Sequence, residues 1–134
     1  MLQPLLPPSL DDFERMARAA WAAMPEGFRA LAGDIVFRIE DLADDDLLAD
    51  LGIEDPFELT GLYQGLDLTQ ASVTDPQPSA PFVCLFRLAI LDEWIAHGDV
   101  DLQHLVAHVL VHEVGHHFGL SDDAMDALLE EGEA

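Results

Sequence analysis

The sequence predicts an α+β domain, a small mixed sheet flanked by helices, one of them buried and carrying the candidate active site. Three observations lead there. Apolar residues recur at helical spacing near both ends of the chain. Short alternating or continuous apolar runs between them read as strands. The stretch from Leu105 to Val111 is apolar nearly all round apart from His108, as expected of a helix buried on most faces. With 134 residues, half of them hydrophobic, there is room for one core and none for a separate substrate domain. A single domain over 1–134 is expected, with 1–8 a loosely ordered tail.

Ser9 can cap a first helix, with Asp11 and Asp12 favouring its positive end. Phe13, Met16, Ala17, Ala20, Trp21 and Met24 form one stripe, read as core packing, and Pro25-Glu26-Gly27 stops it. From Asp34 to Glu40, Ile35, Phe37 and Ile39 alternate with Val36, Arg38 and Glu40, a half-buried strand. Asp44-Asp45-Asp46 precedes Leu47, Leu48 and Leu51, and Gly52 closes a short helix. The acidic triplet is read as its cap region rather than a cation site.

Leu59 to Leu66 is a short strand with glycines in it, fitting an edge or a bulge. Thr69 to Pro81 is an aperiodic loop, a surface connection by default or a flap over a site. Phe82 to Phe86 is continuously apolar and predicts a central strand, with Cys84 a small buried hydrophobe. Leu88, Leu91, Trp94 and Ile95 give a short helix ending at Gly98, and Asp99 or Asp101 can cap the next, from about 101 to 118. Ala124, Met125, Leu128 and Leu129 define a last helix packed back on the body.

Charge narrows the function. The formal charge of −22 comes from 27 acids against five arginines, with no lysine. Such a surface repels nucleic acid and anionic membranes. It suits cationic peptide segments, or it serves solubility alone. One cysteine excludes an intramolecular disulfide and a cysteine-based zinc knuckle. Met1 to Pro8 has no basic n-region and no apolar run of signal length, and no stretch approaches a membrane span, so a cytoplasmic location is expected.

The chemistry concentrates in residues 112–122, which read H-E-x-x-H-x-x-G-x-x-D. His112 and His116 lie one helical turn apart and can hold one Zn²⁺, with Glu113 beside them to take a proton from water. Gly119 can end the helix so that the chain returns with Asp122 as third ligand. Three protein ligands with a fourth position open describe a catalytic zinc site. Shuffling this composition yields the bare H-E-x-x-H in roughly two chains per hundred, and the full pattern in roughly two per ten thousand, so the flanking Gly and Asp carry much of the weight.

Other residues compete or assist. His104, His108, His112 and His116 are each four apart, so His108 and His112 could also hold a metal. Only the 112–116 pair encloses Glu113 and precedes the Gly turn. His108 is therefore read as a core or supporting histidine, and His104 and His97 as surface. His117 points about 100° from His116 and can buttress the site from outside. Asp123 competes with Asp122 for the third-ligand position, and Tyr63 is a candidate for stabilising an oxyanion.

With these residues in view, the chain resembles the small bacterial zincin-like metallopeptidases. The likeness rests on Gly61-Leu62-Tyr63-Gln64-Gly65, on Phe86-Arg87 and on the specific stretch His112 to Gly119, within about residues 10–130. The H-E-x-x-H-x-x-G-x-x-D form is also that of the snapalysin-type neutral proteases. The resemblance implies a minimal zincin fold with an edge strand beside the active-site helix, along which an extended peptide would pair. The strand at 82–86 and the one around Tyr63 are the candidates. The chain departs from the larger metzincins in having Asp for the third His and no clear Met-turn, because Met125 follows the motif too closely.

The expected function is a zinc-dependent peptidase acting on a peptide or protein substrate, with His112, His116 and Asp122 as ligands and Glu113 as general base. The alternative is a metal- or peptide-binding module of the same fold with little or no turnover.

Overall fold

The computed structural model describes residues 6–65 and 81–133. Met1 to Leu5 of the expected tail, Leu66 of the expected second strand and most of the expected loop at 69–81 lie outside the described residues. Among the described residues six α-helices and three strands follow one another as α1 (Leu10–Ala22), α2 (Glu26–Ala32), β1 (Val36–Glu40), α3 (Asp45–Leu51), β2 (Gly61–Gln64), β3 (Phe82–Phe86), α4 (Arg87–His97), α5 (Leu102–His117) and α6 (Asp122–Glu133). Among the described residues no helix is long and apolar enough to cross a membrane.

The caps explain where several helices begin. The Ser9 hydroxyl accepts from the Asp12 amide at 3.1 Å while the Asp12 carboxylate accepts from the Ser9 amide at 2.8 Å, a reciprocal capping box. Asp44 of the acidic triplet accepts from the Leu47 amide at 2.8 Å, and Gly52 ends α3 in the left-handed region, as the composition predicted. Pro25-Glu26-Gly27 does end α1, but it also starts α2, which the sequence reading missed. Pro25 takes the N-cap position, Glu26 lies in the first turn, and Phe28 is buried with its ring 5.6 Å from that of Trp21. A turn of 3₁₀ helix at Pro56–Glu58, capped by Asp55, was also not foreseen.

The sheet order is β1-β3-β2, with β1 parallel and β2 antiparallel to β3. The central place of β3 follows from its continuous apolar character, since it is covered on both faces. Val83 and Leu85 join the main core with Phe13 and Ala17 of α1, and Val106, Val109 and Leu110 of α5. Cys84 and Phe86 face the other way, into a smaller cluster with Leu48 of α3 and Ala89 of α4. A strand paired on both sides cannot receive a further strand, so the 82–86 candidate for substrate pairing is ruled out. Among the described residues β2 pairs on one side only, and it lies against α5.

Gly61 makes that approach possible. A Cβ there would stand 2.9 Å from Val109 Cγ1, 3.2 Å from Glu113 Cγ and 3.3 Å from Leu85 Cδ2. The missing side chain lets the strand lie directly on the helix that carries the motif.

Candidate metal centre

α5 is apolar on most of its surface because it passes through the core, and Leu105, Val106, Val109, Leu110, Val111 and Val114 are all buried. Its last turns emerge with the histidines. His112 remains largely covered, its side chain 18% exposed, whereas that of His116 is 59% exposed. Their rings stand edge-on with centroids 5.6 Å apart.

The chain then reverses within four residues. Gly119 adopts φ 77°, and the Leu120 amide donates to the Gly115 carbonyl at 2.9 Å. The Ser121 hydroxyl accepts from the Ala124 amide, so α6 starts at once and Asp122 sits in its first turn. Asp122 Oδ1 is thereby brought to 3.4 Å from His116 Nε2 and 4.0 Å from His112 Nδ1.

One donor atom from each of His112, His116 and Asp122 falls within 4.8 Å of the others. Tetrahedral zinc bonds of about 2.1 Å place neighbouring ligand atoms about 3.4 Å apart, so these residues fit a metal of that kind. The His112 nitrogen on this side is Nδ1; its Nε2, which is buried and lacks a hydrogen-bond partner, faces Asp126 instead.

Glu113 is half-buried beneath β2. Burial pushes its carboxyl above the ordinary carboxylate value, and His116 pulls part of the way back. That direction suits a group that must take up a proton near neutral pH.

The family model for zincin-like metallopeptidases matches residues 32–131, the span from β1 through α6. The chain belongs to this family. Curated proteins yield no match to it. Membership in the zincin-like metallopeptidases implies a bound metal, typically zinc, and the His and Asp donors of α5 and α6 are the candidates to hold it.

The remaining expected site residues of this zincin-like chain separate by position. Asp123 is exposed and belongs to neither group of three donors found among the described residues. His117 turns toward β2, its ring 4.8 Å from that of Tyr63, and a Cβ on Gly65 would meet its Nε2 at 2.7 Å. Tyr63 is 8% exposed and packs its ring on His117 and Phe118, and burial raises its hydroxyl pKa. It anchors the end of the motif helix. His108 is partly buried, with its ring stacked on His112 at 4.0 Å, and burial lowers its pKa.

Two residues were missed. Gly115, inside the motif, has Met125 of α6 packed where its Cβ would be. Asp126 stands 3.6 Å from His112 Nε2. Asp126 lies one helical turn after Asp122, so it meets the same histidine row once α6 has folded back on α5.

Proposed function

We propose that this zincin-like chain is a zinc-dependent peptidase with His112, His116 and Asp122 as metal ligands and Glu113 as general base. The observation that carries the reading is the convergence of those three donors from two helices, beside a half-buried carboxyl whose proton affinity is raised. When bound, zinc supplies a Lewis acid that polarises the scissile carbonyl and makes water a competent nucleophile near neutral pH.

Glu113 takes a proton as water adds to the carbonyl carbon, then returns it to the leaving amine nitrogen as the C–N bond breaks. Asp122 offers an anionic oxygen that offsets the metal's charge, and the short Gly119 turn holds it there. β2, with one side unpaired among the described residues, supports an extended peptide running along α5.

A cationic substrate fits the charge around these groups. Asp122, Asp123 and Asp126 lie together on the exposed start of α6. The five arginines fall on α1, α2, β1 and α4, with none on β2, α5 or α6. Basic peptides would meet attraction there and acidic ones repulsion.

Digestion of a mixed peptide library by the zinc-loaded protein tests the reading, with Asp122→Ala and Asp123→Ala alongside. Cleavage sites enriched in Lys and Arg, with activity and zinc retention against a chelator reduced far more by Asp122→Ala, are expected. Equal effects of the two substitutions would remove Asp122 from the ligand set.

A further inference from the structure

The histidine row on α5 does not stop at the motif, and neither does the acidic row opposite it. His108, His112 and His116 repeat every four residues, and Asp122 and Asp126 repeat every four on α6. The two helices bring these rows together twice. His112, His116 and Asp122 form one group of three donors, and His108, His112 and Asp126 form a second with the same mutual limit of 4.8 Å. His112 is common to both and turns a different ring nitrogen to each: Nδ1 lies 4.0 Å from Asp122 and Nε2 lies 3.6 Å from Asp126.

We infer that His108, His112 and Asp126 form a second divalent-metal site, one helical turn deeper than the first and occupied in alternation with it. The spacing supports a metal there. At 3.6 Å, Nε2 and the Asp126 oxygen are beyond a good hydrogen bond, yet close to the separation of about 3.4 Å between two ligands of one zinc ion. Nε2 is also the buried nitrogen that has no hydrogen-bond partner. The rings of His108 and His112 lie 4.0 Å apart with 26° between their planes, so one ring tilts for the in-plane lone pairs of both to meet on one ion.

Alternation follows from the chemistry of the shared ring. A neutral imidazole carries one lone pair on nitrogen, and its other nitrogen bears a proton. His112 can therefore give its lone pair to one metal at a time unless the ring is fully deprotonated. Metal in the deeper site leaves Glu113 outside the histidine pair that holds it, so this register competes with the first for the same ion. The inference shares His112 with the proposed peptidase site but requires no hydrolysis.

Zinc binding by full-length variants, followed by competition with a chromophoric chelator, tests it. Wild type, the His116→Asn/Asp122→Asn protein and the His108→Asn/Asp126→Asn protein should each bind one equivalent, and His112→Asn none. Adding His108→Asn to the first double variant should abolish its binding. Helical circular dichroism establishes that each variant is folded. Ring ¹⁵N shifts of His108 supply an independent readout, moving on zinc addition to the His116→Asn/Asp122→Asn protein. No zinc bound by that folded protein, with one equivalent still bound by the other double variant, would overturn the deeper site and leave the first intact. Loss of binding only in the His108→Asn/Asp126→Asn protein would instead count against the first site.

Discussion

Met125 fills the space that a side chain on Gly115 would need: a Cβ there would lie 2.8 Å from Met125 Cγ and closer still to its sulfur. Met125 is fully buried, so its side chain has to repack for a Cβ to fit. The pair sets how near α6 comes to α5, and with it the reach of Asp122 to His116. In an open helix Gly→Ala gains about 1 kcal/mol. Here overpacking costs about 1–3 kcal/mol, so Gly115→Ala should lower stability in chemical denaturation and weaken zinc binding. Gly115→Ala/Met125→Ala should recover part of the zinc affinity by making room. A Gly115→Ala protein more stable than wild type would show that the helices are not in tight contact.

Gly61 makes a second prediction. Its Cβ would crowd Val109 and the Glu113 side chain together, and overpacking of this kind costs about 1–3 kcal/mol. Gly61→Ala should reduce peptidase turnover more than zinc affinity, because it displaces Glu113 and not the ligands. Unchanged turnover in a folded variant would place the β2 contact outside the chemistry.

Glu113 gives a pH signature in the metal-free protein. Burial raises its folded-state pKa above the ordinary value of 4.5, so protonation favours the fold. Stability should therefore fall as pH rises through 4.5 and level off above the raised value. Glu113→Gln lacks this limb. Its melting temperature should exceed that of the metal-free wild type at neutral pH, with the difference shrinking as the pH falls from the raised value to 4.5. A constant difference across the acid range would mean that the carboxyl is not perturbed by the fold.

Cys84 is read just as directly. Burial first, then the neighbouring Glu40 carboxylate, pushes its thiol from 9.0 to about 12, and its sulfur lies 3.4 Å from Glu40 Oε2. The native protein should resist iodoacetamide at about pH 8 and react only when unfolded. Between 9 and 12 the unfolded thiol ionises while the folded one does not. Wild type should then lose stability with rising pH more steeply than Cys84→Ala. Rapid labelling of folded protein would contradict the burial.

Much of this was legible from residue patterns. The alternation at 35–40, the unbroken apolar run at 82–86 and the all-round apolar α5 each named the right element and its burial. What escaped was local punctuation with two meanings. Pro25-Glu26-Gly27 is both a stop and a start, because proline suits the first positions of a helix as well as the region beyond its end.

At the candidate site, the spacing of His112, His116 and Asp122 led to three donors that do converge. Asp126 stayed hidden because its nearness to His112 depends on how α6 folds back, which the spacing after Gly119 does not determine. Which of the two candidate strands is an edge depended likewise on strand order: β3 is paired on both sides, and among the described residues β2 is paired on one.

In the proposed function Glu113 moves the proton at a metal held by its neighbours. Zinc content and mixed-peptide digestion should be measured side by side for the wild type and Glu113→Gln. Equal zinc with cleavage confined to the wild type is expected. Full turnover by Glu113→Gln, or bound zinc without cleavage by either protein, would contradict it.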